Sequence, residues 1–167
     1  MCDTKKIKLM NGTTQEIRSC TGCAMVDLAR AGKLPITPIW SGDTCWVLQD
    51  SETPMPGFYV ISPYRHVFSI ADLTPDEYME YTQLIFTVRT GMRDVLGIKR
   101  AHIYQEEKAT SHLHAWILPI WNDAESIRIS KNNINDYMDR YDIKTHGAGV
   151  THCADLMRNW MKQKLSR

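Results

Sequence analysis

The polar and apolar positions of the chain divide it into alternating strands and amphipathic helices. Residues 1–19 are largely polar and read as a loose leading segment. "CTGCAMVDLARAG" follows, with a helical pattern from about Ala24 and a glycine stop at Gly32. "ITPIW" and "TCWVLQD" read as strands around an "SGD" turn, and "SETPMPG" as a loop. "FYVISP" is a short apolar strand closed by Pro63. The strongest helical signal is "DLTPDEYMEYTQLIFTVRTGMRDVLG". Thr74 suits the N-cap and Pro75 the first helical position, while Asp76 and Glu77 complement the positive end of the dipole. Tyr78, Tyr81, Leu84, Ile85, Val88, Met92 and Val95 form its apolar stripe, and Gly97 ends it.

"AHIYQEE" and "HLHAWILPI" read as two strands joined by a short loop over residues 108–111. Beyond Trp121 the chain turns polar. Residues 131–141 and 151–165 read as two surface helices, with "HGAG" as a mobile turn between them. The pattern predicts an α+β fold: an antiparallel sheet, a long helix packed on it, and a C-terminal helical appendage. The expected organisation is a loose segment over 1–19, a domain over 20–121, and an extension over 122–167 packed on that domain.

Composition narrows the function classes. The chain has 167 residues and a formal net charge of +1, so bulk charge predicts no extended nucleic-acid partner. No apolar run approaches the roughly 20 residues that a membrane-spanning helix needs. "MCDTKKIKLMNGTTQ" carries charges without an apolar stretch after them, unlike a secretory leader, and a cytoplasmic location is expected. The cysteine count of five is odd, which favours reduced thiols or metal ligands over a disulfide framework.

The chemistry concentrates at "TSHLHAWILP". Side chains two apart on a strand share a face, so His112, His114 and Trp116 project one way and Leu113, Ala115 and Ile117 the other, towards the helix. A histidine pair of this kind is either a structural feature with hydrogen-bonded rings or part of a site. "CTGC" places Cys20 and Cys23 at a spacing that serves a redox pair, a turn, or two thiolate ligands of one zinc ion. There is no second Cys-x-x-Cys, so two histidines from elsewhere would have to complete a four-ligand site. His66 follows a strand end, and taken singly reads as a surface histidine. Asp50 ends a strand, where its carboxylate can either accept hydrogen bonds from a sugar diol or close a turn.

Taken in order, "CTGC", "CWVLQDSETPMPGFYVISPYRH", "DLTPDE" and "HLHAWILP" resemble the histidine triad superfamily of nucleotidyl hydrolases and transferases, over roughly residues 20–119. The resemblance implies a nucleotide-phosphate hydrolase or nucleotidyltransferase. His114 would be the nucleophile that forms a nucleotidyl-histidine. Asp50 would hold the ribose hydroxyls, and Leu48 and Ser51 would flank the nucleoside. In the zinc-containing branches, which include galactose-1-phosphate uridylyltransferases, the metal ligands correspond to Cys20, Cys23, His66 and His112, implying a structural Zn²⁺. His112 and His114 lie about 6 to 7 Å apart along a strand, which lets one bind metal and the other face substrate.

The departure is Trp116, which stands where the family has a third histidine or a glutamine. Its indole is a hydrogen-bond donor with no acid function near neutral pH. The alternative reading is therefore a nucleotide-binding or zinc-stabilised interaction protein that has lost turnover. Lys108 and Thr110 precede the motif as donors for a phosphate, or as part of a solvated loop. The family also implies a homodimer paired through the sheet edge and long helix. His102 is assigned no role, and His146, His152 and Cys153 match no standard metal spacing.

Overall fold

A computed structural model describes residues 4–17, 20–107, 112–121, 128–129 and 132–166. Five strands form an antiparallel sheet: β3 (Trp40–Ser41), β4 (Cys45–Gln49), β5 (Tyr59–Pro63), β6 (Arg100–Gln105) and β7 (Ala115–Ile120), in spatial order β3-β4-β5-β7-β6. Of the expected "ITPIW" strand, Trp40 pairs, continuing into Ser41, and the Ile39 amide donates to the Val47 carbonyl.

One face of this sheet carries the main core. Tyr59, Ile61, Ala115 and Ile117 meet Tyr81, Leu84, Val88 and Met92 of α2 (Pro75–Asp94). That helix begins as its sequence predicts. The Thr74 hydroxyl accepts from the Glu77 amide, and the Glu77 carboxylate accepts from the Thr74 amide. Tyr78 departs from the expected stripe: it lies in the first turn and is exposed.

The C-terminal region differs from the sequence expectation. Its helices are α3 (Ile134–Met138) and the 23-residue α4 (Ile143–Leu165), and "HGAG" lies inside α4. One face of α4 is buried. Ala154, Met157, Trp160 and Met161 join the main core, and Met157 and Trp160 close on Gly91 of α2. A methyl group at Gly91 would stand 2.8 Å from the Met157 methyl, so this glycine sets how closely the two helices approach. The extension thus completes the core.

The other face of the sheet is covered in two patches. On one side lies α1 (Thr21–Arg30) with an antiparallel hairpin, β1 (Lys5–Lys8) and β2 (Thr14–Ile17), in the segment expected to be loose. The hairpin buries Ile7, Leu9 and Ile17 against Met25, Trp46 and Leu48, and the Met10 amide donates to the Ser51 carbonyl. On the other side Met55, Phe58, Leu118, Ile129, Ile134 and Tyr137 form a second cluster. Between the patches the sheet is uncovered, and there the candidate site lies. No helix among the described residues is long and apolar enough to cross a membrane.

Candidate metal centre and nucleotide cavity

Four side chains converge beside this opening. Cys20 is the N-cap of α1, where its sulfur accepts a hydrogen bond from the Cys23 amide at 3.3 Å. One helical turn returns Cys23 to the same end of the helix. His66 follows β5, and His112 stands just ahead of β7, which begins at Ala115. The donor atoms of all four lie within 4.8 Å of one another.

Their spacing fits a tetrahedral ion. Cys20 Sγ lies 3.1 Å from His66 Nδ1 and 3.7 Å from His112 Nδ1. For Cys23 Sγ the corresponding distances are 3.2 and 3.6 Å. Zinc–sulfur and zinc–nitrogen bonds of ordinary length at a tetrahedral angle separate S and N by about 3.6 Å. His112 Nε2 points away from the sulfurs and bonds the Pro63 carbonyl at 2.8 Å, which orients the ring. Burial pushes the Cys23 thiol up to about 11, reinforced by the hydrogen bond and charge of Cys20. Burial also holds His112 below its ordinary value, so the imidazole is disposed to the neutral form that ligates metal. Two crowded thiols and two ring nitrogens form a donor set suited to a divalent, thiophilic cation.

Gly22, between the cysteines, was not singled out by its sequence position. A Cβ there would meet the His112 ring at 2.5 Å, so only glycine lets that ring lie against the first turn of α1. The signal was a glycine inside Cys-x-x-Cys, but its cause is a histidine far along the chain.

A cavity of about 410 Å³ opens beside these four side chains. Leu48, Asp50, Ser51, His114 and Trp116 all line it, so the structure brings together most of the site residues expected from the sequence. Lys108 and Thr110 lie outside the described residues. His114 Nδ1 is 2.7 Å from the His112 carbonyl oxygen. A carbonyl only accepts, so Nδ1 is the donor, and in the neutral ring the lone pair lies on Nε2. Asp50 closes the turn after β4, accepting from the Thr53 amide at 2.6 Å and the Glu52 amide at 3.1 Å. Burial raises its carboxyl, while these bonds and His114 pull it back. Trp116 packs edge-on against Phe58, with ring centroids 5.6 Å apart, and its ring lies 5.8 Å from that of His114. It therefore belongs both to the second outer cluster and to the cavity wall.

The C-terminal histidines and cysteine do not converge. His146 bonds back to Asp142, Cys153 is buried in α4, and His152 is exposed. Among the described residues the Cys20–Cys23–His66–His112 group is the candidate metal cluster.

The same architecture occurs in solved structures. The chain is similar to a zinc-bound histidine triad family protein from Mycobacterium smegmatis, with a TM-score of 0.62 and 17% identity over 89% of this chain and 96% of that one. It is similar to a uridylyltransferase, with a TM-score of 0.61 and 14% identity over 88% of this chain and 46% of the larger one. It also resembles the Plasmodium falciparum diadenosine triphosphate hydrolase, with a TM-score of 0.54 and 12% identity over 97% of this chain and 88% of that one. No protein-family model matches the sequence, and no curated protein does. At these identities the likeness establishes the fold: the chain has the α+β fold of histidine triad proteins.

Proposed function

We propose that the protein is a nucleotide-phosphate hydrolase or nucleotidyltransferase that works through His114, with a structural zinc on Cys20, Cys23, His66 and His112. The observation that carries this reading is the hydrogen bond from His114 Nδ1 to the His112 carbonyl, beside a cavity of about 410 Å³. It leaves the Nε2 lone pair for attack on an α-phosphorus. The new bond is P–Nε2, and the bond that breaks joins phosphorus to the leaving group, which departs with the electron pair. Water or another acceptor then cleaves the P–N bond, completing hydrolysis or transfer. Asp50 would hold the ribose hydroxyls, and Leu48 and Ser51 the nucleoside. Two structural neighbours, a hydrolase and a uridylyltransferase, are enzymes acting on nucleotides, which supports the class.

With four protein ligands, the zinc would have no open position and would act by holding α1, the turn before His66 and the entry to β7 together. The protein would work as a two-fold dimer. The edge strand β6 and helix α2 expose apolar side chains to such a partner, including Ile103 and Phe86.

A second reading, nucleotide binding without turnover, is favoured by one observation: Trp116 is packed into an apolar cluster where a proton donor would be needed. Intact-protein mass spectrometry after mixing with a nucleoside phosphorimidazolide separates the two. The expected result is one added nucleotidyl group, absent in His114→Ala. Labelling that persists in His114→Ala would refute the nucleophile assignment. Binding without labelling would establish the second reading.

A further inference from the structure

We infer that Ser62 is a catalytic residue of the cavity: its hydroxyl, fixed by the Trp46 indole, donates to a non-bridging oxygen of the phosphate that His114 attacks. This rests on the nucleophile reading above and adds to it a donor that stabilises the transition state.

Ser62 is a hydroxyl in the otherwise apolar stretch "FYVISP". Alternation along β5 puts Tyr59 and Ile61 in the core against α2, and Val60 and Ser62 on the other face, where both line the cavity. The neighbouring strands fix what stands beside the serine. Trp46 of β4 is its direct partner, and β5 pairs with β7 through Val60–Trp116 and Ile61–Ala115. The next place in that ladder sets Ser62 beside His114, at the roughly 5 Å that separates directly opposed side chains on one face. Trp46, Ser62 and His114 thus form one row across the cavity floor, and Leu48, Val60 and Trp116 form the next.

Ser62 is buried, and the Trp46 Nε1–H donates to its Oγ at 2.6 Å. An indole only donates, so the serine oxygen is held as the acceptor. The hydroxyl has one hydrogen of its own, and among the described residues no acceptor meets it. Pairing with Trp46 therefore accounts for the oxygen of Ser62 and leaves its hydrogen over, beside the nucleophile. The indole bond also polarises the hydroxyl, which makes it a better donor.

When His114 Nε2 attacks, the P–N bond forms as the bond to the leaving group breaks. The leaving group departs with the electron pair and takes its proton from water. The non-bridging oxygens carry the negative charge of the transition state. A donor already fixed beside one of them stabilises that charge without reorganising. The serine proton is shared, not transferred, and His114 keeps its Nδ1 proton on the His112 carbonyl. Ser62 is thus no substitute for a leaving-group acid at position 116, since it acts on the oxygens that stay.

The test is the rate at which a nucleoside phosphorimidazolide labels His114, followed by rapid quench and intact-protein mass spectrometry on the zinc-loaded full chain. Ser62→Ala should slow the maximal labelling rate at least about tenfold, with little change in the concentration that half-saturates it. That variant also strands the buried Trp46 donor, so its loss mixes catalysis with packing. Trp46→Phe keeps the hydroxyl and should cost less. Trp46→Phe/Ser62→Ala removes both partners and strands neither, and it should remain at least about tenfold slower than Trp46→Phe. Unaltered labelling of Ser62→Ala, a double variant as fast as Trp46→Phe, or a loss in Trp46→Phe as large as in Ser62→Ala would overturn the inference. The second of these would make Ser62 a partner for the indole alone. No labelling of the unaltered protein would instead overturn the nucleophile reading, and the inference with it.

Discussion

Gly22 and His112 are in contact at a distance that no other residue at position 22 allows: a methyl group on Gly22 would stand 2.5 Å from the His112 ring. The atoms it would strike are Cβ, Cγ and Nδ1, at the root of the ring and on its side towards the cysteine sulfurs, so the ring cannot swing aside cheaply. Gly22→Ala should lower zinc affinity by at least about tenfold, in line with other changes that misorient a ligand. A competition titration with a chromogenic chelator measures this. Unchanged affinity and melting temperature would show that the ring and helix can part.

The metal site itself predicts about one zinc per chain. Chelation should lower the melting temperature, because the ligands come from separated segments and binding energy is then folding energy. Cys23→Ala should reproduce the destabilisation and abolish any further effect of chelator. Elemental analysis with paired thermal melts decides it. A metal-free protein whose melting does not respond to added zinc would count against the assignment.

Acid should weaken the fold through Glu77. Arg65 donates to its carboxylate at 2.6 and 2.9 Å, and the Thr74 amide adds a third bond, holding the carboxyl at about 2. A depressed carboxyl stabilises fully above its unfolded-state value, near 4.3. That contribution is lost as pH falls through the folded value. Urea melts from pH 5 to 2, with chelator present throughout, should therefore show an acid slope that Glu77→Gln flattens. The substitution should also cost on the order of 1–3 kcal/mol at neutral pH. An identical slope in both proteins would place the acid sensitivity elsewhere.

Trp116→His tests the proposal that a proton donor is lacking at this position. It should raise turnover on substrates with poor leaving groups, such as dinucleoside polyphosphates, relative to activated nucleotides. The same change empties space beside Phe58, so stability should fall by roughly 1–3 kcal/mol. Turnover on both substrate types and a denaturant melt give the two readouts. A variant no better on the poorer substrates would mean that the ring at 116 does not govern leaving-group protonation.

Met157→Ala tests whether the C-terminal helix is part of the core. Met157 is fully buried and touches Gly91 of α2, so the substitution should cost about 2–5 kcal/mol. A loss below about 0.5 kcal/mol, the range of ordinary surface changes, would mean that α4 is a detachable appendage after all.

Much of the fold was readable because local signals agree. Thr74-Pro75-Asp76-Glu77 is an N-terminal helix signature with its own hydrogen-bonding logic, and the structure forms both of its reciprocal bonds. The four candidate ligands were readable only through the family resemblance, since Cys-x-x-Cys alone also serves a redox pair or a turn and His66 alone reads as a surface histidine. What escaped depends on tertiary contact. "KKIK" looks solvated because a single inward residue, Ile7, is enough to seat the strand once Leu9 and Ile17 join it. "HGAG" looks like a break because glycine weakens an isolated helix. In the folded chain Gly149 instead faces Pro56, where a side chain would stand 3.1 Å away. Gly22 belongs to the same class, since its reason lies 90 positions along the chain, in His112.

The separation between the metal donors also bears on the order of events during folding. Cys20 and His112 are 92 residues apart, and His66 stands between them, 46 from Cys20. Closing loops of that length costs entropy before any contact is gained, and such long-range closures are slow. Until β5 and β7 have paired, the two histidines are not beside each other, and Cys20 with Cys23 forms only a weak two-thiol hook. A cation held by these four side chains would therefore act late, as a clasp on a chain already gathered, and its retention would report that the sheet has been assembled in the right register.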